Sequence, residues 1–164
     1  MADREENAVR TAALTELVAW ADARLPRLID DVCAASCERI GMYRDEKIVP
    51  RADLHRSIAV NLRFMVDALG GAEAPDQRAP KETGRRRAHQ GAPLPEVLQV
   101  YRIACAMLWD LLVGRARATG STDVLIDVAS LLWQVTDEHA VRVTEAYRAA
   151  SAELLVAQQR RRSA

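Results

Sequence analysis

Apolar residues recur along this chain at helical intervals, and breaks in the pattern divide it into successive helices. Leu14, Leu17, Val18, Ala21 and Leu25 form one face of a first helix. Pro26 suits the first turn of a second helix, whose inward residues are Leu28, Ile29, Val32, Cys33, Ser36 and Ile40, with Gly41 as its stop. Tyr43 to Val49 reads as a polar connector. Pro50 opens a third helix with the stripe Leu54, Ile58, Leu62, Met65 and Leu69, halted by Gly70 and Gly71. Residues 71–79 read as an exposed loop. Pro80 then starts a short basic helix that stops at Gly91.

The cleanest stripe follows Pro93 and Pro95: Leu94, Leu98, Tyr101, Cys105, Leu108 and Leu112, at alternating intervals of four and three. Gly120 ends that helix, and Ser121, Thr122 and Asp123 are suitable caps for the next. From Thr122 onward there is no Gly or Pro. Leu125, Val128, Leu132, Val135, His139, Arg142 and Ala146 predict one helix from Thr122 to Gln159, about 57 Å long at 1.5 Å per residue. A helix that outruns its domain commonly pairs with a second copy or leads into another domain. The pattern contains no strand alternation and no repeat. The expected fold is all-α, a bundle of about six helices with long C-terminal helices, and a globin-like arrangement is one form it could take.

Composition narrows this. The 164 residues make a single domain with a full core, and 49% are apolar, yet there are only one Phe, three Tyr and three Trp. The core must be built from Leu, Val, Ala, Ile and Met, which suits packed helices. The formal net charge is zero, so direct nucleic-acid binding is not expected. Three cysteines and a charged N-terminus without an apolar segment predict reduced thiols and a cytoplasmic setting. No run of about 18 apolar residues predicts a membrane span.

Several residues are candidates for chemistry. Cys33 and Cys37 share one helical face, but metal binding would need two further ligands, and two small buried thiols satisfy the same spacing. Tyr101, Arg102, Trp109 and Trp133 can line a small-molecule pocket between the two long helices, or fill an ordinary interface. His139 lies on the inward stripe, where a haem ligand or a pH-sensitive group could sit, as could a histidine bonded within the core. His55 and His89 read as solvated. Arg85, Arg86 and Arg87 can bind an anion; alternatively they complement a helix C-terminus or bridge to an acid on a neighbouring helix. Asn61 flanks the third stripe, where it can set register or meet a ligand. No nucleotide, zinc-protease or serine-hydrolase signature is present, so no catalytic residue, metal or cofactor is expected.

Three stretches carry a family resemblance: VPRADLHRSIAVNLRFMVDALGG (49–71), GRRRAHQGAPLPEVLQVYRIACAMLWDLL (84–112) and LLWQVTDEHAVRVTEAYRAASAEL (131–154). The most specific part is the basic helix with its Gln90-Gly91 end, followed by the helix bearing Tyr101 and Arg102. These segments resemble the N-terminal helical domain of PucR/CdaR-type bacterial transcriptional regulators, which is similar to the N-terminal region of RsbR-type stressosome proteins. The resemblance implies a non-catalytic sensory and dimerisation domain spanning residues 1–164, excised from a longer regulator. It further implies a homodimer, and an output region outside this chain that either binds DNA or signals through a phosphorylatable domain. The alternatives are a globin-like haem or small-molecule binding domain and a stressosome-like protein-interaction adaptor.

Overall fold

The computed structural model describes residues 1–71 and 77–163, and among these there are seven α-helices and no strand. They are α1 (Ala2–Ala23), α2 (Leu25–Arg39), α3 (Gly41–Arg44), α4 (Arg51–Leu69), α5 (Arg78–Gln90), α6 (Leu94–Thr119) and α7 (Leu125–Arg162). A 3-10 turn, Thr122–Val124, joins the last two. The all-α bundle with a long final helix is the expected fold. Part of the anticipated loop, residues 72–76, lies outside the described residues.

Helix boundaries follow local chemistry, with instructive departures. Gly91 and Gly120 close α5 and α6 in the left-handed conformation that glycine adopts without penalty. Gly41 does not stop α2. That helix ends at Arg39, Ile40 turns extended, and Gly41 opens the one-turn α3. The expected polar connector is tied down at both ends, because Tyr43 and Val49 are fully buried. α5 begins at Arg78, two residues before Pro80, which sits within the first turn where its missing N–H costs nothing. Ser121, Thr122 and Asp123 make no side-chain cap; a 3-10 turn tightens the entry to α7 instead.

The core is a continuous aliphatic cluster contributed by every helix except α5, whose buried residues are small or polar. α6 runs through it, in contact with α1, α2, α5 and α7. By length and composition α6 is the one helix among the described residues apolar enough to cross a membrane. Its buried positions are Val97, Val100, Tyr101, Ile103, Ala104, Leu108, Leu112 and Ala116. This face is rotated from the predicted stripe, leaving Leu94, Leu98 and Cys105 half-buried, the last two toward α7. α7 likewise buries Val143 and Ala150, with Arg142 only half-buried beside them.

α5 and α7 are the most closely packed pair of helices. The reason is Gly84: a Cβ there would stand 2.3 Å from the Val143 carbonyl oxygen and 3.1 Å from the Ala146 Cβ. Ala88 and Ala92 continue the small-residue surface, and the Tyr147 hydroxyl donates to the Ala92 carbonyl at 2.8 Å. A helix of mostly polar sequence is thus seated on the C-terminal half of α7 by backbone proximity. Beyond Leu154, α7 is exposed through its last turns.

Candidate functional site

Two regions bring candidate residues together. The first is an outer groove between α6 and α7. It consists of two adjoining hollows of about 410 and 460 Å³ that share Arg102, Cys105, Trp133 and Thr136. Trp109 walls one hollow and Tyr101 the other. The rotated face of α6 creates this groove, since Leu98 and Cys105 point toward α7 rather than into the core. The Cys105 thiol lies 3.4 Å from the Thr136 hydroxyl. Trp133 is 80% exposed, a large cost in apolar surface left in water. The structure therefore assembles Arg102, Trp109 and Trp133 on one surface, with Tyr101 beneath it.

The second region is an ionic cluster where α5 crosses α4. Asp53, in the first turn of α4, is its centre. Arg86 donates to both Asp53 oxygens at 2.9 Å, Arg87 Nη1 donates to Oδ2 at 3.1 Å, and Gln90 Nε2 donates to Oδ2 at 2.6 Å. Arg87 Nη1 also donates to Gln90 Oε1 at 2.7 Å. Arg87 is only 1% exposed. Burial pushes the Asp53 carboxyl upward, but the Gln90 and Arg86 hydrogen bonds and the arginine charges outweigh it and hold the carboxyl below its ordinary value. Arg86 and Arg87 are thus engaged by an acid of the same chain, whereas Arg85 is exposed and its carbonyl meets the His89 ring at 2.9 Å.

Behind this cluster sits a buried polar layer. Asn61 Nδ2 donates to the Ser57 carbonyl at 2.7 Å and to the Thr83 hydroxyl at 3.0 Å. Thr83 in turn donates to the Ala79 carbonyl at 2.9 Å. Burial pushes the Tyr43 phenol up to about 12, although Arg87 beside it works in the opposite direction. Tyr101 is also held well above the ordinary phenol value by burial, so both phenols are neutral.

His139 is 1% exposed and is enclosed by aromatic rings, with Phe64 and Tyr101 centroids at 5.0 and 4.8 Å. Among the described residues neither of its ring nitrogens has a hydrogen-bond partner. Burial, reinforced by the charge of Arg142, lowers its pKa to about 4, so the ring is neutral. It lines neither of the hollows above. His55 is half-exposed and pairs with Asp30 at 2.7 Å. Cys33 and Cys37 are buried; burial and the neighbouring Cys37 raise the Cys33 pKa, keeping it a thiol. Among the described residues no group of three or more His, Cys, Asp or Glu could hold a metal ion.

Sequence reasoning missed Asp53, Thr83, Tyr43 and Gly84. The arginine run signalled a need for an acid, but nothing along the chain said which one. Gly84 stood inside the basic helix as an unexplained helix-weakening residue, and that was its only signal.

A family model described as the RsbT co-antagonist protein rsbRD N-terminal domain matches residues 26–162. No curated protein and no solved structure matches the chain.

Proposed function

The chain belongs to the rsbRD N-terminal domain family, and from that membership we propose that it is a non-catalytic regulatory input domain of stressosome-like type. In this reading two copies pair through the α6–α7 face, and a signal changes how α6 and α7 pack. The observation that carries the reading is the exposed aromatic groove on the two longest helices. Trp133 and Ile126 are 80% and 77% exposed on α7, and Trp109 lies across the groove. An apolar patch of this kind on a well-packed domain marks an interaction surface. α7 is the natural transmitter, because one continuous helix joins this face to the α5 crossing and then to exposed turns bearing Leu155 and Val156.

The output partner is then either a DNA-binding region, as the PucR/CdaR-like segments imply, or a phosphorylatable signalling domain, as the family match favours. A signal acts through this domain only by binding one packing arrangement better than the other. The globin-like haem reading receives no support from His139, which is sealed between two aromatic rings.

Light scattering tests the pairing. A dimer is expected at micromolar concentration, and Trp133→Arg should return a folded monomer. A wild-type monomer under those conditions would sink the proposal. The mass of the native gene product in its source cells distinguishes the settings, because a longer product reveals its output domain by sequence.

A further inference from the structure

The groove between α6 and α7 carries a charge pattern along with its apolar lining. Its two walls run antiparallel: Leu98 lies at the same end as Ala140, and Trp109 at the same end as Ala129. The Cys105 thiol, 3.4 Å from the Thr136 hydroxyl, fixes their register. Arg102 stands one turn before Cys105, and Asp137 directly follows Thr136, so the two are nearly level on opposite walls. Among the described residues they are the two charged side chains that line the groove. Both are exposed, and among the described residues neither side chain has an ion-pair or hydrogen-bond partner. Arg10, Arg63 and Arg86, by contrast, each meet an acid of the same chain.

We propose that Arg102 and Asp137 are the recognition charges of self-pairing: Arg102 of each copy meets Asp137 of the partner subunit, giving two reciprocal ion pairs in one dimer. This rests on the pairing reading above and names what selects its partner and its orientation. A twofold interface is self-complementary, so each charge in it must find its opposite within the same patch. One cation and one anion, level with each other on opposite walls, meet that condition. With the twofold axis along the groove, α6 of each copy lies over α7 of the other. The copies then run in the same direction, and both ion pairs close beside the exposed Trp133 side chains. The other twofold, across the groove, sets α6 on α6 and α7 on α7, and so never opposes Arg102 to Asp137. An acidic or a basic peptide in the groove would leave one of the two charges facing its like, which favours a second copy over either. Such charges set register and partner choice, while the aromatic surface supplies the buried area.

Sedimentation equilibrium of the full chain tests it. Arg102→Asp and Asp137→Arg, each alone, should raise the dimer Kd about tenfold or more, because one reversal turns two attractions into two repulsions. An equimolar mixture of the two variants should dimerise nearly as well as wild type, since both pairs in the mixed dimer are again of opposite sign. Circular dichroism checks that each variant is helical. Should a reversal fail to fold, Arg102→Gln and Asp137→Asn decide instead, each flattening the loss of dimer affinity on adding salt. A wild-type dimer whose Kd neither reversal changes, a mixture as dissociated as its components, or a salt response untouched by the neutral variants would overturn this inference and leave the pairing itself standing. A wild-type monomer would remove both.

Discussion

Asp53 and His139 are buried polar residues with opposite fortunes, and each gives the protein its own response to acid. Asp53 is the acceptor for Arg86, Arg87 and Gln90. Its carboxyl titrates below its unfolded value, so its contribution is complete above about pH 4 and is lost as pH falls through the lower folded value. Asp53→Ala leaves the buried Arg87 guanidinium without a counter-charge and should cost about 3–5 kcal/mol in urea unfolding at pH 7. His139 behaves differently. It is neutral when folded and has no partner, whereas in the unfolded chain it takes a proton near pH 6.5. The unfolded state therefore binds more protons between pH 6.5 and about 4, and stability falls as pH drops through that window by something on the order of 3 kcal/mol. His139→Leu should abolish this slope and raise stability at pH 5. If the variant keeps the wild-type slope, the cause lies elsewhere. The sequence placed His139 on the inward face correctly, because periodicity reports burial. It could not show the two flanking rings, since Phe64 and Tyr101 come from other helices.

Elements meet according to what their surfaces permit. α5 is polar along most of its length and owes its place to Gly84, where the α7 backbone comes within reach of where a side chain would begin. Gly84→Ala should therefore destabilise by about 1–3 kcal/mol or more, because the contact is with backbone that cannot swing aside. Gly114 is the control. It lies within α6 with nothing within 4 Å of an added Cβ, so Gly114→Ala should stabilise by about 0.5–1 kcal/mol. Thermal unfolding of the two variants checks both signs; a neutral Gly84→Ala would mean that the close α5–α7 crossing is not as described. Glycine alone does not announce which of these situations it occupies. Gly91 and Gly120 were legible as stops because a break in periodicity accompanied each. Gly41 was misread because the chain turns at Ile40 and re-enters a helix.

At the scale of the whole molecule, the apolar surface divides into a buried core and an exposed remainder. α6 and α7 each carry more apolar surface than the bundle can bury, and the excess collects around Trp109 and Trp133. Trp133→Arg should change the assembled mass while leaving helix content and the unfolding midpoint of the monomer nearly unchanged, since an 80% exposed side chain contributes little to the core. A large fall in midpoint at concentrations where both proteins are monomeric would mark Trp133 as structural instead. The all-α class, the long final helix and most inward residues were written in the spacing of apolar positions, because a helix buries whatever recurs every three to four residues; the one-turn α3 was not, since four residues are too few to show a period. Three features came only with the packed bundle. The rotation of α6 that opens the groove, the choice of Asp53 as partner for two arginines, and the buried Asn61–Thr83 hydrogen bond behind Arg87 each depend on which helices touch. Periodicity describes one helix at a time, whereas these features arise between residues more than 20 positions apart that only packing brings together.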